Sequence, residues 1–154
     1  MSTLLIQSCS ATKRDTEERV PAIDLYDGYF FKIIKKAQRN LGLRKDMDIA
    51  ILSAKHGLID PDEKISHYDI RMDEERANEL NEEVLKKLKD KISQEEYDKI
   101  VCNMGKDYMP ALEGIDEVIE EEQELEVIEG DGIGEKGRIL KKFISGSSLR
   151  EFAN

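Results

Sequence analysis

Three short apolar runs, each breaking off into a small polar turn, constrain this chain more than any other feature. The runs are Thr3 to Ser8, Asp48 to Leu52 and Lys99 to Met104. The turns that follow are Cys9-Ser10-Ala11-Thr12-Lys13, Ser53-Ala54-Lys55-His56-Gly57 and Asn103-Met104-Gly105-Lys106-Asp107-Tyr108. Helical patterns lie between them. Over Tyr29 to Leu41, the residues Phe30, Ile33, Ile34, Ala37 and Leu41 share one face, Lys32, Lys35, Lys36 and Arg39 face water, and Gly42 suits a C-cap. Over Asp73 to Lys91, Ala77, Leu80, Val84, Leu85 and Leu88 form a second stripe. Strands alternating with helices predict an α/β fold, one domain over residues 1–154 with a mostly parallel central sheet flanked by helices. Parallel strands would bring the three turns to one sheet edge, where open α/β folds place their ligands.

The rest of the chain is less patterned. Ala54 to Asp69 reads as a long loop. Ser93-Gln94-Glu95-Glu96 has the form of a capping box opening a short helix. A short helix is expected near Tyr108 to Leu112, and strands over Glu117 to Glu121 and Leu125 to Ile128. Gly130 to Gly134 then reads as a glycine hairpin leading into a C-terminal helix over Glu135 to Phe143, with a fraying tail from Ser145 to Asn154.

Composition narrows the functional classes. The formal net charge is −10 over 154 residues, so the whole-molecule field opposes a polyanion, and any nucleic-acid contact needs a local basic patch. Glu113 to Glu129 holds nine acidic residues and no basic one, which reads as a solvated face. The first residues lack the basic and apolar regions of a signal peptide, and no apolar run approaches membrane-spanning length. Two cysteines make no disulfide framework, so a reduced, cytoplasmic compartment is expected. Two histidines and two cysteines also lack ligand spacing, so neither a metal nor another cofactor is implied.

Each polar turn supplies small residues, hydroxyls and a lysine, a set suited to an anionic or hydrogen-bonding ligand such as a phosphate or nucleobase. Candidate catalytic residues are His56, Lys55, Asp69 and Cys9. His56 suits a general acid or base, or a residue that orients the loop. Lys55 suits an anion contact. Asp69 suits a carboxylate base, a helix cap or a partner of Arg71. Cys9, near Lys13 and a strand end, reads either as an activated thiolate with His56 as its base or as a small buried hydrophobe; Cys102 reads as core. Candidate ligand contacts are Ser10, Thr12, Lys13, Ser53 and Gly105. Tyr26, Tyr68 and Tyr108 are candidates for stacking on a base, Tyr26 reading alternatively as a core residue. The hairpin glycines Gly132 and Gly134 and the basic residue Lys136 are candidates for a phosphate, at a patch of about +2 local charge.

The stretch Ser53-Ala54-Lys55-His56-Gly57-Leu58-Ile59-Asp60-Pro61, followed by His67-Tyr68-Asp69-Ile70-Arg71-Met72, resembles the hallmark segment of the YaaA family, named for a peroxide-stress protein. Short relatives of that family are also matched by Cys9-Ser10 with Lys13, Asp24-Leu25-Tyr26, Gly105 with Tyr108, and Gly132-Ile133-Gly134. The resemblance runs from about Leu4 to Phe143. It departs at His67, where the family usually has proline, and in the acidic overall charge. It implies an α/β fold with a cleft, a helix-hairpin-helix-like element, and DNA binding linked to oxidative-stress protection. Three functions are therefore expectations: binding of nucleic acid or a nucleotide in the strand-end cleft, an enzyme cleaving or modifying a nucleobase or nucleoside, or a thiol redox sensor at Cys9.

Overall fold

The computed structural model describes residues 2–40 and 44–145. Leu41, the last member of the first helical stripe, lies outside the described residues, as do its expected glycine cap, Gly42, and the tail beyond Ser145.

The chain runs β1 (Thr3–Ser8), β2 (Val20–Pro21), α1 (Ala22–Leu25), α2 (Tyr29–Arg39), β3 (Met47–Ser53), β4 (Gly57–Ile59), β5 (Lys64–Ile65) and α3 (Glu74–Gln94). It continues through β6 (Lys99–Asn103), a 3-10 turn (Lys106–Leu112), α4 (Ile115–Val118), β7 (Glu124–Val127) and α5 (Ile133–Ile144). Five strands form one sheet in the order β4-β3-β1-β6-β7. β3, β1, β6 and β7 are parallel, and β4 folds back antiparallel on β3. The fold class is α/β with a mostly parallel sheet, as the alternation of strands and helices requires. A two-residue ribbon pairs β2 with β5.

Both faces of the sheet are covered, which is why β1 is buried at every position. On one face Leu4, Ile6, Ile100 and Cys102 meet Leu80, Val84 and Leu88 of α3. On the other, Leu5, Ile49 and Val101 meet Ile34 of α2 and Leu140 and Phe143 of α5. α2 and α5 lie against each other, and a buried glycine lets them approach. A Cβ on Gly137 would collide with the ring of Tyr29.

The structure departs from the sequence expectations at four places. The segment Ala54 to Asp69 is not a structureless loop, because β4 and β5 lie within it; strands of three and two residues are too short to show a period. Its first turn closes through Gly57, whose φ of +73° is costly for other residues. The capping box at Ser93 opens no helix. α3 runs through it because Ile92 is buried against the sheet, and the Ser93 hydroxyl donates back to the carbonyls of Lys89 and Asp90. Glu117 to Glu121 is not a strand. One helical turn, Ile115–Val118, stands there after Gly114, whose φ is +89°. Finally, Phe31 is the fully buried aromatic of α2 while Phe30 is only partly covered, because α2 is packed from two sides.

Candidate functional site

β1, β3 and β6 run parallel, so the three polar turns do meet at one edge of the sheet. A relay of hydroxyl and thiol groups joins them. Ser53 Oγ, at the end of β3, accepts from Tyr26 Oη at 3.1 Å and from the backbone N–H groups of Lys55 and His56 at 3.2 and 3.1 Å. Tyr68 Oη lies 2.9 Å from Ser53 Oγ and 2.6 Å from Tyr26 Oη. It also reaches Cys9 Sγ at 3.7 Å. Cys9 Sγ is 3.0 Å from Tyr108 Oη, which in turn donates to the Cys9 carbonyl at 3.2 Å. One direction places a proton on every short contact: Tyr26 donates to Ser53, Ser53 to Tyr68 and Tyr68 to Tyr26 in a closed ring, while the Cys9 thiol donates to Tyr108 and Tyr108 to the Cys9 carbonyl. Burial holds the Tyr26, Tyr68 and Tyr108 hydroxyls above the ordinary tyrosine range, so all three remain protonated donors at neutral pH.

Above this relay lies an open cleft of about 830 Å³. Cys9, Ser10 and Lys13 line it from the first turn, Gly105 and Tyr108 from the third, and Asp69 and Arg71 from the segment before α3. Tyr29 and Phe30 of α2 and Ile133 of α5 form an aromatic and aliphatic rim. The two rings meet edge to face at 5.6 Å, and Tyr29 is 46% exposed. A polar floor, Lys13 and Arg71 set against Asp69 and Asp107, and an aromatic rim together suit a ligand that is flat at one end and carries charged and hydrogen-bonding groups at the other.

The sequence candidates divide into several groups. Cys9, Ser10, Lys13, Asp69, Gly105 and Tyr108 share the cleft. Ser10 is also a brace, accepting from the Gly28 N–H and donating to the Thr12 carbonyl. Tyr26 and Ser53 are wholly buried, so Tyr26 belongs to the core and offers no face to a base. Tyr68 is 5% exposed, with Lys13 Nζ 4.5 Å and Lys55 Nζ 5.9 Å from its ring centre and His56 edge-on at 5.6 Å; it too is closed to stacking. Thr12 is exposed and contributes its carbonyl to the loop rather than a side chain to the cleft.

Lys55 and His56 stand behind Tyr68 and do not line the cleft. Tyr108, not His56, is the hydrogen-bonding side chain nearest Cys9. Among the described residues His56 Nε2 is buried without a partner, and its pKa is lowered by burial first and by the Lys55 charge second. The carbonyls of Ala54 and Lys55 are held by Arg76 at 2.7 and 2.9 Å, which fixes the turn against α3. Asp69 does not cap α3; Asp73 does, accepting from the Arg76 N–H at 2.7 Å. Gly132 caps α5 and Gly134 lies in its first turn, while Lys136 Nζ is held by the Met104 carbonyl at 3.1 Å. Cys102 is 1% exposed, and burial pushes its thiol up to about 12.

Tyr29, Phe30, Arg71 and Ile133 line the cleft without having stood out as site residues in the sequence. Tyr29 is visible there only as the first residue of a helix, and Arg71 only as part of an irregular segment. Among the described residues, no group of three His, Cys, Asp or Glu side chains is placed to hold a metal ion, and no helix is long and apolar enough to cross a membrane.

Comparison with known proteins gives a fold and a family. The family model described as "Family of unknown function (DUF6884)" matches residues 4–142. No curated protein matches the chain. The crystal structure of AF0587, a protein of unknown function, superposes with a TM-score of 0.55 at 16% identity. The superposition covers 95% of this chain and 45% of that one, so this chain spans less than half the length of its structural neighbour. At that identity the likeness concerns the fold alone.

Proposed function

The chain belongs to the DUF6884 family of unknown function, and we propose that it holds a nucleotide in the strand-end cleft. The carrying observation is the pairing, in one cavity of about 830 Å³, of Lys13 and Arg71 with the exposed ring of Tyr29. The cations suit a phosphate and the ring suits a base. The Cys9–Tyr108 wall supplies polar groups for the sugar or the base edge. The size is that of a small-molecule site. A net charge of −10 favours a compact ligand over a long duplex, because the whole-molecule field opposes an extended polyanion.

This reading keeps the nucleotide half of the sequence expectation and treats nucleic acid as the competing ligand. Chemistry on a nucleobase has less support: Asp69 lines the cleft, but Lys55 and His56 do not. Calorimetric titration with mononucleotides, and with single- and double-stranded oligonucleotides over a salt series, tests the proposal. Saturable mononucleotide binding, weakened about tenfold by Lys13→Ala, is expected. Failure of every mononucleotide to bind at low salt would sink it, as would tight binding confined to duplex.

A further inference from the structure

A second cavity of about 790 Å³ runs between α2 and α5 on the face of the sheet opposite α3. Its α2 wall presents Tyr29, Lys32, Ile33, Lys36 and Ala37, spaced three and four residues apart and therefore on one stripe. Its α5 wall presents Gly137, Arg138, Lys141 and Lys142, again on one stripe. Five of the described lining residues are cations and none of them is acidic. This is a marked concentration in a chain whose net charge is −10. Ile33 and Ala37 are half-buried in this wall, while Lys32, Lys36, Lys141 and Lys142 are exposed.

Tyr29 lines both this trough and the strand-end cleft, so the two adjoin at that ring. Gly137 is what allows that ring to sit against α5. From Tyr29 to Asn40 the α2 wall extends about 16 Å at the helical rise. The geometry points to a polyphosphate subsite: the ligand of the cleft is a nucleotide bearing several phosphates, whose chain passes Tyr29 into the cationic trough. The inference rests on the nucleotide reading above and adds to it the number and path of the phosphates. A cluster of cations at this spacing offers little to a nucleoside or a single phosphate, which Lys13 and Arg71 already serve. A phosphodiester backbone carries the same charge chemistry, so oligonucleotides form one arm of the test.

The experiment is a titration of the intact chain with a series of adenosine and guanosine ligands, namely the nucleoside and its mono-, di- and triphosphate. It is repeated with Lys36→Gln/Lys141→Gln and with Lys13→Ala. Affinity is expected to rise with each phosphate, the triphosphate binding at least about tenfold more tightly than the monophosphate. Lys36→Gln/Lys141→Gln should abolish that gradient and leave monophosphate affinity unchanged. Lys13→Ala should weaken mono- and triphosphate alike. Equal affinity for mono- and triphosphate, or a gradient surviving in the double variant, overturns the subsite while leaving the nucleotide reading intact. Absence of binding by every ligand in the series overturns both. Affinity that keeps rising with oligonucleotide length and exceeds that of the triphosphate overturns the subsite in favour of a nucleic-acid track. Circular dichroism of the variants confirms that a lost gradient is not lost folding.

Discussion

Tyr26, Ser53 and Tyr68 are at most 5% exposed, whereas Cys9 and Tyr108, in the same hydrogen-bonded relay, reach the wall of an open cleft. The buried half joins β3 and its turn to the segment before α3, and each of its polar atoms is committed to a neighbour. The open half ends on the part-exposed Tyr108 phenol, with the Cys9 thiol beneath it at 9% exposure. The difference separates residues that hold the strand ends in place from residues that meet what binds there. Hydroxyl and aromatic residue types occur in both halves, so residue identity alone does not tell them apart.

The comparison can be broken most directly in its buried half. Ser53→Ala removes one corner of the buried hydroxyl cluster and the acceptor of the part-buried Lys55 and His56 N–H groups, and should cost about 1–3 kcal/mol, read from urea unfolding. A cost below about 0.5 kcal/mol would show that the relay does not brace the turn. In the open half the expected order reverses. Arg71→Ala should leave the unfolding midpoint unchanged within error and weaken nucleotide binding about tenfold. A variant that unfolds more easily but binds normally would assign Arg71 to the scaffold.

Tyr108→Phe sits between the halves. It removes the hydroxyl that pairs with Cys9 Sγ and the Cys9 carbonyl, and should cost about 1 kcal/mol. The smallest effect concerns pH. His56 has a folded-state pKa lowered from 6.5, so the unfolded chain binds the extra proton more readily. The contribution of His56 to stability is therefore complete above about pH 6.5 and declines as pH falls below it. His56→Gln should flatten the acid side of a pH series of unfolding midpoints, and an unchanged slope would remove His56 from the account.

Much of the scaffold is legible in the chain. The three strand runs and the two main helices follow from apolar runs and from stripes at helical spacing, and burial on both faces of the sheet keeps those signals strong. The convergence of Cys9, Lys13 and Tyr108 follows from parallel topology alone. The illegible part depends on facing and on reach. Tyr26 and Tyr68 look like ligand contacts in the sequence because a phenol at a loop reads as exposed. Only the packing of α1 and the β2–β5 ribbon turns them inward. Tyr29 and Arg71 come to the cleft through the angle at which α2 and the segment before α3 approach the sheet, and no local periodicity encodes that angle. The run through Ser93 shows the converse, a strong local signal overruled by the burial of Ile92.

The acidic run Glu113–Glu129 has a further consequence through β7. That strand is the outermost of the sheet beyond β6, with one row of backbone groups facing away from any partner strand. Outer strands of this kind invite other chains to extend the sheet. Here the strand is four residues long and carries Glu124 and Glu126, the latter ion-paired with Lys99 at 2.8 Å. A second copy laid alongside would bring like charges into register at ladder spacing. The carboxylates thus guard against sheet-to-sheet aggregation, and at the opposite margin β4 is only three residues long, which leaves little edge for another chain to extend.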